Sequence, residues 1–144
     1  MQNSDQFFQK QLAINGLRST NNRLAILSTL KNANQPLSIQ QIIASTGNEN
    51  HFTSVYRSID AMTRVGLLHE VPRGFKNLYE LGEVFQPHHH HATCKVCGKS
   101  WPVHDQKLEK LIDQSMRNIG MKPYSHHLEM FGICADCQKS EQTI

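Results

Sequence analysis

Two Cys-x-x-Cys motifs, one at Cys94 and Cys97 and the other at Cys134 and Cys137, constrain the fold of this 144-residue chain more than any other feature. Each motif is a turn that presents two thiolates. Four thiolates at about 2.3 Å from one ion form a closed tetrahedral zinc site, with no open position for a substrate. The alternatives are a redox-active Cys-x-x-Cys and unrelated buried cysteines. The presence of two Cys-x-x-Cys motifs fits a four-thiolate zinc site far better than a single motif would. We therefore predict a structural zinc that ties the last strand of a small domain to its first hairpin.

Four consecutive histidines, His88 to His91, come just before the first motif. In an extended segment successive side chains point to opposite faces, so His88 and His90 face one way and His89 and His91 the other. One run can thus supply two ligands to each of two metal sites. The remaining ligands must come from elsewhere, and the candidates are His69, Glu80, His104, Glu109, His126 and His127. Taken alone, His69 is explained better as a partly buried, hydrogen-bonded histidine than as a ligand, and we interpret His104 and His127 as ordinary histidines. Surface solvation explains Glu109 equally well.

The first half of the chain predicts helices followed by a hairpin. A helical start covers about residues 4–15, the next helix is capped by Ser19 or Thr20, and another is capped by Ser38. The last helix lies in "FTSVYRSIDAMTRVG" and ends at Gly66. Two strand-like stretches, "LLHEV" and "LYEL", then flank the turn "PRGFKN". This order is typical of a winged helix, in which one helix enters the major groove of DNA.

The distribution of charge favours that interpretation, although a net charge of +3 is too small to indicate nucleic-acid binding by itself. Seven lysines and arginines lie between Arg18 and Lys76, against three acids. The face of the last helix that is left after its apolar stripe carries Thr53, Ser54, Tyr56, Arg57, Asp60 and Arg64. A solvated helix face is the alternative.

The second half predicts a small α+β domain suited to dimerisation. Strands "HATC" and "SWPV" bracket the first cysteine turn, an amphipathic helix covers 105–119, and "SHHLEMFGIC" alternates like a strand. We place a DNA-binding domain at 1–83, a hinge at 84–87 and a metal-binding dimerisation domain at 88–144. The chain has no apolar run of about 20 residues and no signal-peptide core near its start, so we expect a cytoplasmic protein with no membrane partner.

These motifs resemble the ferric uptake regulator family, dimeric metal-responsive transcription repressors, over about residues 12 to 137. The resemblance is carried by "GLRSTNNRLAIL", "TSVYRSIDAMTRVGLL", "LYEL", "HHHHATCKVCGK", "HHLEMFGIC" and "CADC". It implies an α+β chain, with an N-terminal winged-helix DNA-binding domain followed by a small dimerisation domain with a four-cysteine zinc site.

The resemblance also implies roles for particular residues. Tyr56 and Arg57 fall on the recognition helix and Arg18 on the position that reaches the minor groove, in a DNA-binding set of Arg18, Arg23, Thr53, Ser54, Tyr56, Arg57 and Lys76. The structural zinc falls on Cys94, Cys97, Cys134 and Cys137. The regulatory site at the hinge falls on Glu80, His89 and His91, with His69 assigned as its fourth ligand. A further site in the dimerisation domain falls on His88, His90, Glu109 and His126.

Two departures from the family pattern favour zinc over iron as the sensed ion. Iron-sensing members take a hinge ligand from the region of "NQPLS", which holds no histidine here, whereas His69 lies where zinc-sensing members carry a ligand. Iron sensors also usually have an aspartate where this chain has His90. Replacing that carboxylate gives a site of three histidines and one glutamate; imidazole suits zinc and iron alike, while carboxylates favour harder ions. Against zinc, many zinc sensors carry a cysteine at the hinge, and Glu80 is not one.

The sequence therefore predicts a Zn(II)-sensing repressor of metal-uptake genes that binds palindromic operator DNA as a homodimer. We expect no enzymatic activity and no small organic ligand. An iron-, manganese- or peroxide-sensing member of the same family is the alternative, with Fe(II) or Mn(II) as the regulatory ion. A metal store or a metalloenzyme that uses the histidine cluster is the alternative from a different class.

Overall fold

The computed structural model describes residues 2–47, 52–73, 76–124, 126 and 128–141. The chain divides into two compact units, Met1–Pro87 and His88–Ile144. No helix among the described residues is both long and apolar enough to cross a membrane. The combination of helices and small sheets confirms the predicted α+β class. The roles given to residues 1–83, 84–87 and 88–144 stay predictions.

The described residues of the first unit form four helices and one small sheet. The helices are α1 (Gln2–Ile14), α2 (Asn21–Asn32), α3 (Ile39–Thr46) and α4 (Phe52–Arg64), and the strands are β1 (Leu37–Ser38), β2 (Leu68–Arg73) and β3 (Lys76–Leu81). The sheet is antiparallel with strand order β1-β3-β2. Thr20 caps α2 by accepting a hydrogen bond from the Arg23 N–H, and Ser38 forms a capping box with Gln41 at the start of α3. Both residues were predicted from the sequence to be helix caps.

One apolar core holds this unit together. The predicted stripe of α4 is buried at Val55, Ile59 and Met62, against the buried Ile26 and Leu27 of α2. Burial of side chains of this size stabilises a fold by about 1.5–3 kcal/mol each. Because the stripe faces inward, the opposite face of α4 is exposed, including Tyr56 and Arg57.

The hairpin of β2 and β3 is longer than predicted. The ladder continues to the pair Arg73 and Lys76, so most of the stretch predicted as a turn is strand. Residues 74 and 75, the predicted tip, lie outside the described residues. The two-residue strand β1, which pairs with β3, was not predicted.

The segment after β3 is fastened to the first unit. The Gly82 N–H donates to the Leu67 carbonyl at 2.9 Å, and a Cβ at Gly82 would lie 2.1 Å from the Gly66 carbonyl oxygen. The Phe85 ring packs edge-on against Phe7 and Phe8, with ring centres 5.7 and 5.3 Å away. The Gln86 side chain donates to the Leu81 carbonyl at 2.6 Å. Most of the predicted hinge at 84–87 is therefore part of the first unit.

In the second unit, the part of the chain that the structure describes forms a three-stranded sheet and two helices. Its strands are β4 (His90–Cys94), β5 (Ser100–Val103) and β6 (Glu129–Gly132), and its helices are α5 (Gln106–Asn118) and α6 (Ala135–Glu141). The order is β5-β4-β6, with β4 antiparallel to β5 and parallel to β6. The predicted strands and the Asp105-capped helix are present. Helix α6 was not predicted, because it is short, lacks an apolar stripe and begins inside the second cysteine motif.

Candidate metal centres and nucleic-acid interface

The sheet of the second unit brings the four cysteines together. Cys94 ends β4 beside Gly132 of β6, so the chain leaving β6 reaches Cys134 and Cys137 at the start of α6. The four sulfurs lie within 4.8 Å of one another, and those of Cys97 and Cys134 are 3.8 Å apart. A tetrahedron with metal–sulfur bonds of about 2.3 Å has sulfurs about 3.8 Å apart. That separation is far beyond the roughly 2.05 Å of a disulfide, so the cluster fits an ion.

The surroundings of the sulfurs also favour a cation. Backbone N–H groups of Cys97 and Cys134 lower the pKa of Cys94 to about 6, and the Cys134 N–H lies 3.4 Å from the Cys94 sulfur. Hydrogen bonding to the Cys134 side chain, together with burial, raises the pKa of Cys137 to about 12. Thiolates packed this closely repel one another, so without a cation Cys137 keeps its proton. A divalent ion bound by all four sulfurs would displace the Cys137 proton.

A second cluster, around Glu109 of α5, consists of the four residues predicted for the dimerisation-domain site. The Glu109 carboxylate lies 2.6 Å from Nε2 of the buried His90, 3.5 Å from Nε2 of His88 and 3.3 Å from Nε2 of His126. All four donor atoms lie within 4.8 Å of one another. The structure therefore assembles the predicted donors, and their role as ligands stays a prediction. His127 lies outside the described residues.

The spacing of the three rings suits a shared ion. Their centres are 4.9, 5.2 and 5.1 Å apart. Two imidazoles bound to one ion at about 2.0–2.1 Å have ring centres roughly 4.5 Å apart at a right angle and roughly 5.2 Å apart at a tetrahedral angle. The rings thus have the separation that a common ion requires.

The residues predicted for the hinge site form one pair in each unit. In the second unit the rings of His89 and His91 lie 4.8 Å apart. In the first unit His69 of β2 is directly opposite Glu80 of β3, so both side chains lie on the same face of that sheet. His104 was interpreted from the sequence as an ordinary histidine. The centre of its ring lies 5.4 Å from the centre of the His89 ring. Sequence reasoning did not use its position just after β5.

The N-terminal end of α4 and that of α2 form an open groove of ≈ 700 Å³. Five of the seven predicted DNA-binding residues line it, namely Arg18, Arg23, Thr53, Ser54 and Arg57. Tyr56 lies on the same helix with 46% of its surface exposed, and Lys76 is exposed at the start of β3. Basic and hydroxyl side chains in such a groove are those that contact nucleic-acid phosphates.

Hydrogen bonds shape the groove. The Asn22 amide donates to the hydroxyl oxygens of Ser54 at 3.1 Å and Ser58 at 3.3 Å, which ties α2 to α4. The Arg23 guanidinium donates to the Arg18 carbonyl at 2.8 Å. Asn22 and Phe52 also line the groove but were not predicted, because their position depends on two helices meeting.

Residues 14–131 match the sequence profile of the ferric uptake regulator family. The chain belongs to this family. It is 34% identical over 134 residues to the ferric uptake regulation protein of Neisseria gonorrhoeae, covering 89% of this chain and 91% of that protein. Membership confirms the resemblance and the assignment as a metal-responsive regulator, not an enzyme.

Solved structures of the family share the fold. The ferric uptake regulator of Helicobacter pylori, described as having three functional metal binding sites, superposes with a TM-score of 0.78 at 25% identity and covers 98% of this chain and 96% of its own. A zinc uptake regulator complexed with zinc and DNA superposes with a TM-score of 0.73 at 22% identity, covering 98% of this chain and 97% of its own.

Proposed function

We propose that this family member is a DNA-binding repressor of metal-uptake genes, active as a homodimer on a palindromic operator and switched by Zn(II). The observation that carries the proposal is the division of the histidine run. His88 and His90 meet Glu109 and His126 inside the second unit. His89 and His91 form a separate ring pair.

The separate pair is the basis of the switch. A neutral imidazole pair supplies only two ligands, and zinc sites use four. The first unit offers a matching pair, His69 and Glu80, on one face of its hairpin. In the proposed switch one ion is bound by all four residues, so it links the two units. An ion that binds the linked form better shifts the population toward it.

DNA recognition is proposed for the exposed face of α4 and the groove beside it. Winged-helix and helix-turn-helix proteins place one helix in the major groove, and their dimers bind half-sites about one helical turn apart. Arg57 on α4 and Arg18 and Arg23 at the groove edge supply the positive charge. The zinc uptake regulator with the same fold was solved with zinc and DNA, which supports the proposal.

Zinc is proposed over iron because His69 lies opposite Glu80 on the hairpin, while the region of "NQPLS", from which iron-sensing members take a hinge ligand, holds no histidine. The donor atoms favour zinc over manganese. The cluster around Glu109 has three imidazoles and one carboxylate, and the proposed switch has the same composition. Imidazole-rich sites suit zinc, and harder ions such as Mn(II) favour more carboxylate. The relative from Neisseria gonorrhoeae is named for iron, so Fe(II) is the second candidate.

The test is a titration of operator binding by the full-length protein against free Zn(II), Fe(II) and Mn(II). The parent should bind in response to Zn(II) at the lowest free concentration. His89→Ala, His69→Ala and Glu80→Ala should stay folded, keep the zinc bound to the cysteines and lose this response.

His88→Ala is the matched control, because the side chain belongs to the same run but faces the cluster inside the second unit. It should affect the response less than His89→Ala does. A His89→Ala variant that still binds operator in response to metal as the parent does would refute the switch. A response at lower free Fe(II) than Zn(II) would reassign the ion.

A further inference from the structure

We propose that His104 is a third imidazole ligand on the face of the second unit that carries His89 and His91, so that this unit alone can bind a divalent ion there. The inference rests on the proposed function and adds a ligand to it. An ion held by three imidazoles would keep positions open for His69 and Glu80, and the second unit would be loaded first.

The strand register explains why these rings are neighbours. Strands β4 and β5 are antiparallel and pair His90 with Val103 and His91 with Pro102. Continuing this ladder by one residue puts His89 opposite His104. Residues opposite each other carry their side chains on the same face, with Cβ atoms about 4.5–5.5 Å apart. His91, two residues after His89, shares that face.

The separation of the His89 and His91 rings suits a shared ion, and the His104 ring lies slightly farther from His89. The centre of the His89 ring lies 4.8 Å from that of His91 and 5.4 Å from that of His104. Imidazoles that share an ion have centres roughly 4.5–5.2 Å apart, so the His104 ring has to move closer to the pair before all three rings can share an ion. His104 is exposed and follows the last residue of β5, so rotation about its side-chain bonds can supply this movement.

The charge on this face also favours a cation. Glu129 of β6 is the partner of His91 in the parallel ladder, so its carboxylate side chain lies on the same face. The face therefore carries three imidazoles and one carboxylate. Neutral imidazole is a ligand for Zn(II), Fe(II) and Co(II) alike, and Co(II) therefore serves as a spectroscopic probe.

The first experiment places a thiol at the position of the ligand. Full-length His104→Cys, with zinc in the cysteine site, is titrated with Co(II), and a new thiolate-to-cobalt charge-transfer band in the near ultraviolet is expected. Gln114→Cys, which adds an exposed thiol on α5, is the matched control and should show no band. A His104→Cys spectrum identical to that of the control would overturn the proposal.

The second experiment measures affinity. In a background with His69, Glu80 and His126 changed to alanine, adding His104→Ala should weaken Co(II) binding by at least roughly tenfold, since even groups that only orient a ligand contribute roughly 10–100-fold. Equal affinities would overturn the proposal, provided that circular dichroism and the cysteine-bound zinc are unchanged. Neither experiment uses DNA. If the operator binding of the parent protein does not respond to metal, the proposed function is wrong. The Co(II) measurements would still test whether His104 is a ligand.

Discussion

Arg57 and Arg64 lie on the same helix, α4, but their guanidinium groups have different surroundings. Arg57 lines the groove beside the start of α2. Arg64 is paired with Asp60, at 2.8 Å and 3.2 Å to the two carboxylate oxygens. An arginine that is already paired with a carboxylate interacts more weakly with a DNA phosphate or base. The two arginines therefore form a matched pair for testing the DNA-binding face.

We expect Arg57→Ala to weaken operator binding by about 1–3 kcal/mol, the usual contribution of a bidentate base contact. Arg64→Ala should change it much less. Fluorescence anisotropy with a labelled operator duplex at fixed salt measures both affinities. Equal losses in the two variants would show that the helix contributes only diffuse charge.

Cys94 is the buried member of the cysteine cluster, with 2% of its surface exposed. Replacing it by serine removes one thiolate from a closed site whose binding energy is also folding energy, on the order of 10 kcal/mol for structural zinc. We expect Cys94→Ser to lose one zinc per chain and to melt the second unit at a much lower temperature.

A metal count and a melting curve test this expectation, with His88→Ala as the comparison. The comparison variant should keep the cysteine-bound zinc and most of the thermal stability, since it changes the other cluster. Cys94→Ser protein that retains its zinc and melts like the parent would show that the four sulfurs do not form a structural site.

At the scale of elements, the turn after β3 depends on Gly82. A Cβ at this position would lie 2.1 Å from the Gly66 carbonyl oxygen, a backbone atom that cannot rotate away. Gly82→Ala should therefore destabilise the first unit by about 1–3 kcal/mol, the usual cost of overpacking. Gly132→Ala is the control, because a Cβ at Gly132 meets no atom within 4 Å. Denaturant unfolding of both variants measures the difference, and equal midpoints would contradict it.

The sequence predicted elements that local signals define. Thr20, Ser38 and Asp105 cap their helices as expected, and the buried stripe of α4 follows its apolar spacing. Alternation along the histidine run likewise predicted that His88 and His90 share one face and His89 and His91 the other, whereas Glu109 as the partner of the first pair came from the resemblance to the family. These features depend on residues a few positions apart.

Features set by distant residues were missed. The parallel pairing of β4 with β6, strand β1 and the packing of Phe85 on Phe7 and Phe8 all join segments far apart in the chain. No local pattern marks such contacts. His104 was missed for the same reason, since its nearness to His89 follows from the register of β4 and β5.

At the scale of the whole molecule, the second unit leaves many large apolar side chains exposed. Helix α5 has no buried residue, and Leu111 and Ile119 are 62% and 71% exposed. Exposed apolar surface of this kind marks a protein interface. We therefore expect a homodimer formed through the second unit.

Light scattering at micromolar concentration with zinc present tests the dimer. The parent should have twice the chain mass, and Leu111→Glu combined with Ile119→Glu should give monomers. Ile14→Glu, which changes an equally exposed apolar residue in the first unit, should stay dimeric. A monomeric parent would contradict the expectation.

The contacts that hold residues 82–86 to the first unit limit the conformational entropy that is lost when one ion links the two units. Phe85 and Gln86 are held by the first unit, and His88 and His89 already contact side chains of the second unit, so a single residue, Pro87, separates the contacts made with the two units. Fixing the backbone of one residue costs about 1–2 kcal/mol. Moving a population from 1:99 to 99:1 takes about 5.5 kcal/mol. A connector this short therefore keeps the entropic cost of switching within the range that one ion's differential affinity can offset.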